Sequence, residues 1–240
     1  GKIDEVKALL YGTDAIGIVC DDELSPAQMG NLSDALDTKV MDRTLIILDI
    51  FAKRAFTREG KIQVELAQLK YRASKLTGQG KALSRLGGGI GTRGPGEKKL
   101  EMDRRLIRTR ISRLKAELRD VVKHREVQRK QRQKNHLPVV CIVGYTNAGK
   151  STLLNHFTNA GVYEEDQLFA TLDPTTKSLD LSGGQTILMT DTVGFIRKLP
   201  HHLVEAFKST LEEAKYSDLI LHVVDASNPQ KEKQMEAVYE

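Results

Sequence analysis

The sequence has no tryptophan, only two cysteines and only 5% aromatic residues. Cys20 and Cys141 each lie inside a short apolar run, AIGIVC and VVCIV. We therefore expect two small core residues in separate strands and no disulfide, which is typical of a reducing compartment such as the cytosol. No apolar run approaches the roughly 20 residues needed to cross a bilayer, so we expect no membrane insertion.

The start of the chain lacks the features of a signal peptide. GKIDEVKALL shows no basic, apolar and small-residue order, and it begins with Gly instead of Met. We therefore expect that residue 1 is not the natural start of the protein.

Positive charge is concentrated in one segment. The formal net charge is +5, but residues 98–134 hold 15 Lys and Arg against 5 Asp and Glu, an excess of 15 − 5 = +10. The rest of the chain therefore sums to about −5, and the basic segment is a candidate surface for a polyanion such as RNA.

The first 57 residues follow an alternating α/β pattern, and we predict a partial N-terminal α/β domain over 1–57. Ser25-Pro26 is a helix-start signal, with a capping residue followed by proline in the first turn. Two short strands are predicted, at Ala15 to Cys20 and in KVMD. Because two strands make a weak open sheet, we expect further strands upstream.

A helical hairpin is predicted over 58–135. Apolar residues recur at 4-3 spacing in two stretches, which are Ile62, Leu66, Leu69, Ala73 and Leu76, then Ile107, Ile111, Leu114, Leu118 and Val121. The glycine-rich, basic segment 78–99 between them contains no aromatic residue and is predicted to be a flexible loop. Loops beyond about 15 residues tend to be functional, which favours a binding role over a simple linker.

A phosphate-binding loop is the strongest signal in the sequence. GYTNAGKS, residues 144–151, matches G-x-x-x-x-G-K-[ST] between a predicted strand and a predicted helix. Backbone amides and the helix N-terminus would face phosphate oxygens. Lys150, expected on a solvent-facing loop, would reach the β and γ phosphates, and Ser151 would offer a hydroxyl to Mg²⁺.

A second motif, DTVG, begins at Asp191 at the end of the apolar run TILM. Some 40 residues after a phosphate loop, such an aspartate can hold a magnesium-bound water. The threonine-rich segment 168–176 lies between the two motifs. Thr171, Thr175 and Thr176 are all candidates for the second magnesium hydroxyl, and their spacing does not choose among them. We predict a partial, doubly wound α/β domain of the P-loop GTPase type over 136–240.

Three segments, GYTNAGKST, LFATLDPTT and TDTVGFIRKLPHHLVEAFKSTLEE, together resemble the GTPase domain of the HflX family, in the Obg-HflX branch of translation-factor-related GTPases. GGGIGTRGPGEKKLEMDRR resembles the glycine-rich loop of that family, and SPAQMGNL and DRTLIILDIFAKRA resemble its N-terminal domain. The resemblance covers essentially the whole chain. The guanine-reading N-K-x-D motif and the later S-A-K element do not occur in it, so we predict a fragment truncated at both ends.

The resemblance implies a set of site residues. Thr171, in F-A-T-L-D, becomes the magnesium-ligating threonine, together with Ser151 and, through water, Asp191. Lys150, Asn147 and Thr171 are the predicted catalytic residues. The full predicted nucleotide-binding set is Gly144, Tyr145, Thr146, Asn147, Ala148, Gly149, Lys150, Ser151, Thr152, Phe169, Ala170, Thr171, Leu172, Asp173, Asp191, Thr192, Val193 and Gly194.

Phe195 follows DTVG where Ras-like enzymes carry a glutamine that orients the attacking water. A phenylalanine cannot do this, so intrinsic hydrolysis is expected to be slow unless a partner or a cation supplies the function. Asn147 has two interpretations of equal weight: the K⁺ ligand of potassium-dependent relatives, or a turn residue that uses its side chain locally.

The family resemblance also implies partners. It implies GTP and GDP as ligands, and the 50S ribosomal subunit with its 23S rRNA, where the loop enters toward the peptidyl transferase centre and stalled 70S ribosomes are split. Arg85, Arg93, Lys98 and Lys99 are the predicted RNA contacts. We expect a cytoplasmic monomer that associates with ribosomes and peripherally with membrane. Two alternatives remain at this point: an RNA- or ribosome-binding module with a structural nucleotide site, and an ATPase that handles RNA.

Overall fold

The computed structural model describes residues 1–86, 95–134, 137–158, 169–199, 203–204 and 211–239, with only the backbone described for 77–86, 95–98 and 128–134. The chain forms two compact units. Unit 1 comprises 1–49 and 65–116, and unit 2 comprises 50–64 and 117–240. This division cuts through the two long helices, and the separate hairpin domain predicted over 58–135 stays a prediction.

Unit 1 opens with an α/β arrangement. Its elements are α1 (Lys2–Thr13), β1 (Gly17–Cys20), α2 (Pro26–Leu36), β2 (Lys39–Asp42) and α3 (Arg43–Arg54), the last of which continues into unit 2. β1 and β2 pair in parallel. As predicted, Ser25 caps α2: its hydroxyl accepts from Gln28 N at 3.2 Å, and Gln28 Oε1 accepts from Ser25 N at 2.9 Å.

The two long helices are α4 (Arg58–Leu86) and α5 (Pro95–Lys134). Two contacts show that they run antiparallel. Arg110 of α5 bonds Glu65 of α4, and Arg104, which comes earlier in α5, bonds the carbonyl of Leu76, which comes later in α4. Both helices extend into the predicted loop 78–99. A helix tolerates single glycines such as Gly78 and Gly80 at about 1 kcal/mol each, and Pro95 is well suited to the first helical position. Among the described helices, none combines the length and apolar character needed to cross a bilayer.

Asp42 anchors α4 within unit 1. This fully buried carboxylate accepts from the Tyr71 hydroxyl at 2.9 Å and from Lys75 Nζ at 3.1 Å. It also accepts from the backbone amides of Leu24 and Leu45. Burial alone would raise the pKa of Asp42, but these bonds together hold it below its ordinary value.

Unit 2 contains a four-stranded sheet in the order β4-β5-β3-β6. Its elements are β3 (Val139–Gly144), α6 (Lys150–Thr158), β4 (Thr175–Asp180), β5 (Thr186–Asp191), β6 (Leu219–Val223) and α7 (Lys231–Tyr239). β3 pairs in parallel with both β5 and β6. Ile142, Leu154 and Met189 form a buried cluster between the sheet and α6. The parallel strands therefore bring the ends of β3 and β5 to one edge of the sheet.

β4 was not predicted from the sequence. It pairs antiparallel with β5, with Thr175 opposite Asp191 and Asp180 opposite Thr186. Its residues, TTKSLD, are too polar to signal a strand by themselves. The mixed α/β architecture with a preceding helical hairpin is confirmed.

Candidate nucleotide-binding site

The phosphate loop lies between the end of β3 and the start of α6, as predicted. Gly149 has a φ of 88° and Asn147 a φ of 61°, both in the left-handed region that glycine and asparagine tolerate best. The loop therefore turns sharply before α6 begins at Lys150. Its amides and the positive end of the helix dipole lie where an anion could bind.

Lys150 differs from its predicted placement, because its side chain is buried and not solvent-facing. Its Nζ donates to the Tyr145 carbonyl oxygen at 2.8 Å. Burial lowers the pKa of Lys150 to about 8, against the opposing effect of the nearby Asp191 carboxylate. The cation is thus held close beneath the phosphate loop by the loop's own backbone.

Three oxygen atoms from separate parts of the chain converge beside Lys150. Ser151 Oγ lies 2.8 Å from Thr171 Oγ1 and donates to Asp191 Oδ2 at 2.7 Å. Thr171 Oγ1 donates to the same Oδ2 at 3.0 Å. The structure therefore brings together the three predicted magnesium ligands.

The chemistry of this cluster fits Mg²⁺. Asp191 Oδ1 is buried and has no hydrogen-bond partner among the residues that the structure describes. Burial raises the pKa of Asp191, although bonds from the hydroxyls of Ser151 and Thr171 and the charge of Lys150 oppose this. Hydroxyl and carboxylate oxygens are the ligands that Mg²⁺ prefers. Within the described ranges no group of three or more His, Cys, Asp and Glu could hold a metal, so the fit depends on the two hydroxyls.

The other two candidate threonines lie elsewhere. Thr175 begins β4 opposite Asp191, and Thr176 Oγ1 lies 2.9 Å from Thr190 Oγ1 on the neighbouring strand. Strand pairing therefore explains both residues, and of the three candidates Thr171 is the one whose hydroxyl lies beside Ser151 and Asp191.

The segment after Asp191 is bonded to the phosphate loop. Thr146 N donates to Phe195 O at 2.8 Å, and Phe195 N donates to Gly144 O at 3.0 Å. Gly194 packs so closely on Thr146 that an added Cβ would lie 2.8 Å from Thr146 Cβ. Asp191, Thr192, Val193 and Gly194 are all buried, which keeps this segment beside the phosphate loop.

The segment around Thr171 is held on both sides. Phe169 N donates to Thr146 Oγ1 at 2.8 Å, and the Phe169 ring packs edge-on against Phe51 with centroids 4.8 Å apart. Leu172 is buried. Asp173 was predicted to contact nucleotide, but both of its carboxylate oxygens accept hydrogen bonds from Phe56 and Thr57, just before α4. Sequence reasoning missed this contact.

The remaining predicted residues are placed as follows. Tyr145, Ala148 and Ala170 are partly buried, whereas Asn147 and Thr152 are exposed. Lys99 is exposed on α5. Arg85 and Lys98 belong to α4 and α5, but their side chains are outside the described part, and Arg93 lies wholly outside the described residues.

Sequence models of three protein families match consecutive parts of the chain. "GTP-binding GTPase N-terminal" matches residues 1–52, "GTP-binding GTPase Middle Region" matches 54–132, and "50S ribosome-binding GTPase" matches 139–240. The three matched segments follow one another in the same order as the N-terminal α/β region, the two long helices and the four-stranded sheet.

Curated relatives match over the whole chain. A GTPase HflX of Lacrimispora saccharolytica is 75% identical over 100% of this chain and 57% of its own length. A GTPase HflX of Escherichia coli is 52% identical over 99% of this chain and 56% of its own length. The chain thus spans just over half the length of these relatives.

A solved structure also resembles the chain. The crystal structure of SsGBP in complex with GDP is 28% identical and superposes with a TM-score of 0.52, covering 98% of this chain and 61% of that protein.

Proposed function

Since the chain belongs to the HflX family of GTPases, we propose that it binds GTP and hydrolyses it to GDP and phosphate. The observation that carries this proposal is the convergence of Ser151, Thr171 and Asp191 beside Lys150. That SsGBP was crystallised with GDP supports guanine as the base.

The residues divide the work as follows. Phosphate-loop amides and Lys150 would neutralise phosphate charge as it develops on the β and γ oxygens. Ser151, Thr171 and Asp191, the last through water, would hold Mg²⁺, which would supply positive charge to offset that of the phosphates. Because Thr171 comes from a segment distinct from the phosphate loop, its bond to the site would depend on the γ phosphate, as in other GTPase switches.

Hydrolysis by this site would need help from outside the described side chains. Phe195 cannot orient a water, and its backbone instead bonds the phosphate loop. Asn147 is exposed at the loop with a left-handed backbone, which suits either a turn role or K⁺ ligation. We propose that K⁺ or a ribosomal partner supplies the missing function.

The test is Lys150→Ala in the full-length protein, with Lys177→Ala, an exposed lysine on β4, as the matched control. We expect Lys150→Ala to lose GTP turnover and Lys177→Ala to keep it, since only Lys150 lies beneath the phosphate loop. Unchanged turnover in Lys150→Ala would refute the site. Competition between GTP and ATP for binding tests the ATPase alternative. Preferential binding of ATP would support that alternative, and preferential binding of GTP would exclude it.

We further propose that the protein binds the 50S ribosomal subunit through its 23S rRNA and splits stalled 70S ribosomes, acting in the cytoplasm. The supporting observation is a stripe of cations on α5. Exposed basic residues recur along α5, and these are Arg105, Arg108, Lys115, Arg119 and Lys123. Exposed cations along a helix suit the phosphate backbone of RNA.

This second proposal is tested by shortening residues 87–96 to a tight turn. Nucleotide binding and low-salt association with the 50S subunit should persist, because the phosphate site and the α5 stripe remain. Splitting of 70S ribosomes, followed by sedimentation, should be lost. If the shortened protein splits ribosomes as well as the intact one, the loop is only a linker. A ribosome-binding module with a structural nucleotide site would instead split ribosomes without turnover in Lys150→Ala.

A further inference from the structure

We propose that Asp173 is a positioning residue. By capping the start of α4, it holds the Thr171 hydroxyl in the position that would bind Mg²⁺, and it couples the position of this hydroxyl to the helix. The inference rests on the proposed GTPase function. It adds a link between the nucleotide site and α4 that lies wholly within unit 2, since unit 2 includes residues 50–64.

The capping contact is complete. Asp173 Oδ2 accepts from the backbone amides of Phe56 and Thr57, both at 2.8 Å. Asp173 Oδ1 accepts from the Thr57 hydroxyl at 2.5 Å. The amides just before a helix point at an anion with the helix dipole behind them, so a carboxylate is the preferred partner.

Thr57 transmits this contact into the first turn of α4. Its hydroxyl donates to Asp173 and accepts from Gly60 N at 3.0 Å, so Thr57 acts as the N-cap of the helix. Gly60 is buried against Asp173, and an added Cβ there would collide with the Asp173 carboxylate. The chain therefore has a glycine where only a hydrogen atom leaves room for this contact.

Thr171 lies between two residues, Phe169 and Asp173, that each contact the segment from the end of α3 to the start of α4. On one side, Phe169 packs edge-on against Phe51, which is fully buried. On the other side, Asp173 caps the start of α4. Because each of these two residues is only two positions from Thr171, they limit where its hydroxyl can lie, and the observed position is 3.0 Å from Asp191 Oδ2.

The first turn of α4 is also tied to the part of unit 2 that follows DTVG. Glu59 pairs with Arg125 of α5, and Arg125 Nη1 bonds Glu212 at 3.1 Å. The same helical turn thus contacts the Thr171 segment through Asp173 and, through Arg125, a helical residue downstream of DTVG.

Two consequences follow from reciprocity. If capping favours the Thr171 position that binds Mg²⁺, then Mg²⁺ with a triphosphate must favour capping to the same degree. The amides of Phe56 and Thr57 should therefore exchange hydrogen more slowly with a non-hydrolysable GTP analogue than with GDP. Removing the cap should weaken binding of the triphosphate analogue and leave binding of GDP nearly unchanged.

The experiment uses the full-length protein with three variants. Asp173→Ala removes the cap, and Gly60→Ala displaces the carboxylate while raising helix propensity. Gly30→Ala is the matched control, because it makes the same change in α2 where nothing lies within 4 Å of the added Cβ. Affinities for GDP and for the magnesium-bound GTP analogue are measured, with amide exchange over 54–61 in both states.

We expect both Asp173→Ala and Gly60→Ala to lose about five- to 150-fold in affinity for the triphosphate analogue, the usual range for coupled sites. GDP affinity should stay within about twofold, and the nucleotide dependence of amide exchange should vanish. Gly30→Ala should behave as wild type. Equal losses for GDP and the analogue, or a persisting difference in exchange in either variant, would overturn the proposal. If the wild-type protein binds neither nucleotide, the proposed GTPase function fails instead.

Discussion

Replacing Gly194 by alanine should separate nucleotide binding from hydrolysis. An added Cβ would lie 2.8 Å from Thr146 Cβ and 2.9 Å from Thr146 N. Unstrained carbon contacts are about 3.5–4.0 Å, so one of the two segments must move by more than about half an ångström. The phosphate loop is held between β3 and α6, and therefore the segment after Asp191 should be the one that moves.

Two separate estimates give a similar free-energy cost for this substitution. Overpacking of this kind costs about 1–3 kcal/mol. The segment can escape by giving up the two backbone bonds between Phe195 and the phosphate loop, each contributing about 0.5–1.5 kcal/mol, which sets a similar limit of about 1–3 kcal/mol. The active arrangement should therefore become about five- to 150-fold less populated, and turnover should fall by that factor.

The assay is steady-state GTP hydrolysis by the full-length protein, with GDP affinity and thermal unfolding measured in parallel. Gly183→Ala in the β4–β5 turn is the control, because nothing lies within 4 Å of its added Cβ. GDP affinity should change little in either variant. Wild-type turnover in Gly194→Ala, or an equal loss in Gly183→Ala, would show that close packing at Thr146 does not govern hydrolysis.

Four further outcomes are expected. Replacing Na⁺ by K⁺ at constant ionic strength should raise GTP turnover in the wild type but not in Asn147→Ala, and equal rates in both salts would leave Asn147 as a turn residue. Tyr71→Phe should lower the free energy of unfolding by about 1–3 kcal/mol, measured by urea titration, since it removes a buried bond to Asp42. The depressed pKa of Asp42 stabilises the fold above its unfolded value of 3.8, and this contribution is lost as pH falls through the lower folded value. Tyr71→Phe should therefore shift the midpoint of acid unfolding, followed by circular dichroism, to higher pH. Arg125→Met should lower the free energy of unfolding at neutral pH by about 1.5–3 kcal/mol, because Glu59 and Glu212 lose a charged partner.

The parts of the fold that were predictable have local signals. β3 and β5 are short apolar runs that end at Gly144 and Asp191, and α2 begins at the capping residue Ser25. In these places, pattern and chemistry coincide within a few residues. Sequence spacing also placed Ser151 and Asp191 in one site, because parallel strands bring their carboxyl ends together.

The parts that were not predictable depend on distant partners. β4 is a polar segment that becomes a strand only because β5 offers it a hydrogen-bonding edge. The role of Asp173 depends on Thr57, which is 116 positions away in the chain. Lys150 was expected to face solvent, but its burial is decided by the Tyr145 carbonyl and the neighbouring Asp191.

The antiparallel pairing of β4 with β5 fixes the spacing between the Thr171 segment and Asp191. Thr175 is fixed opposite Asp191, so the number of residues between Thr171 and Thr175 sets how far the threonine hydroxyl reaches toward the carboxylate. Insertions or deletions in residues 172–174 would change that length and disable the site. The turn between β4 and β5 has no such constraint on its length, since nothing lies within 4 Å of a Cβ added at Gly183 or Gly184. This turn is therefore a suitable position for inserting a fluorescent reporter without altering the register of β4 with β5.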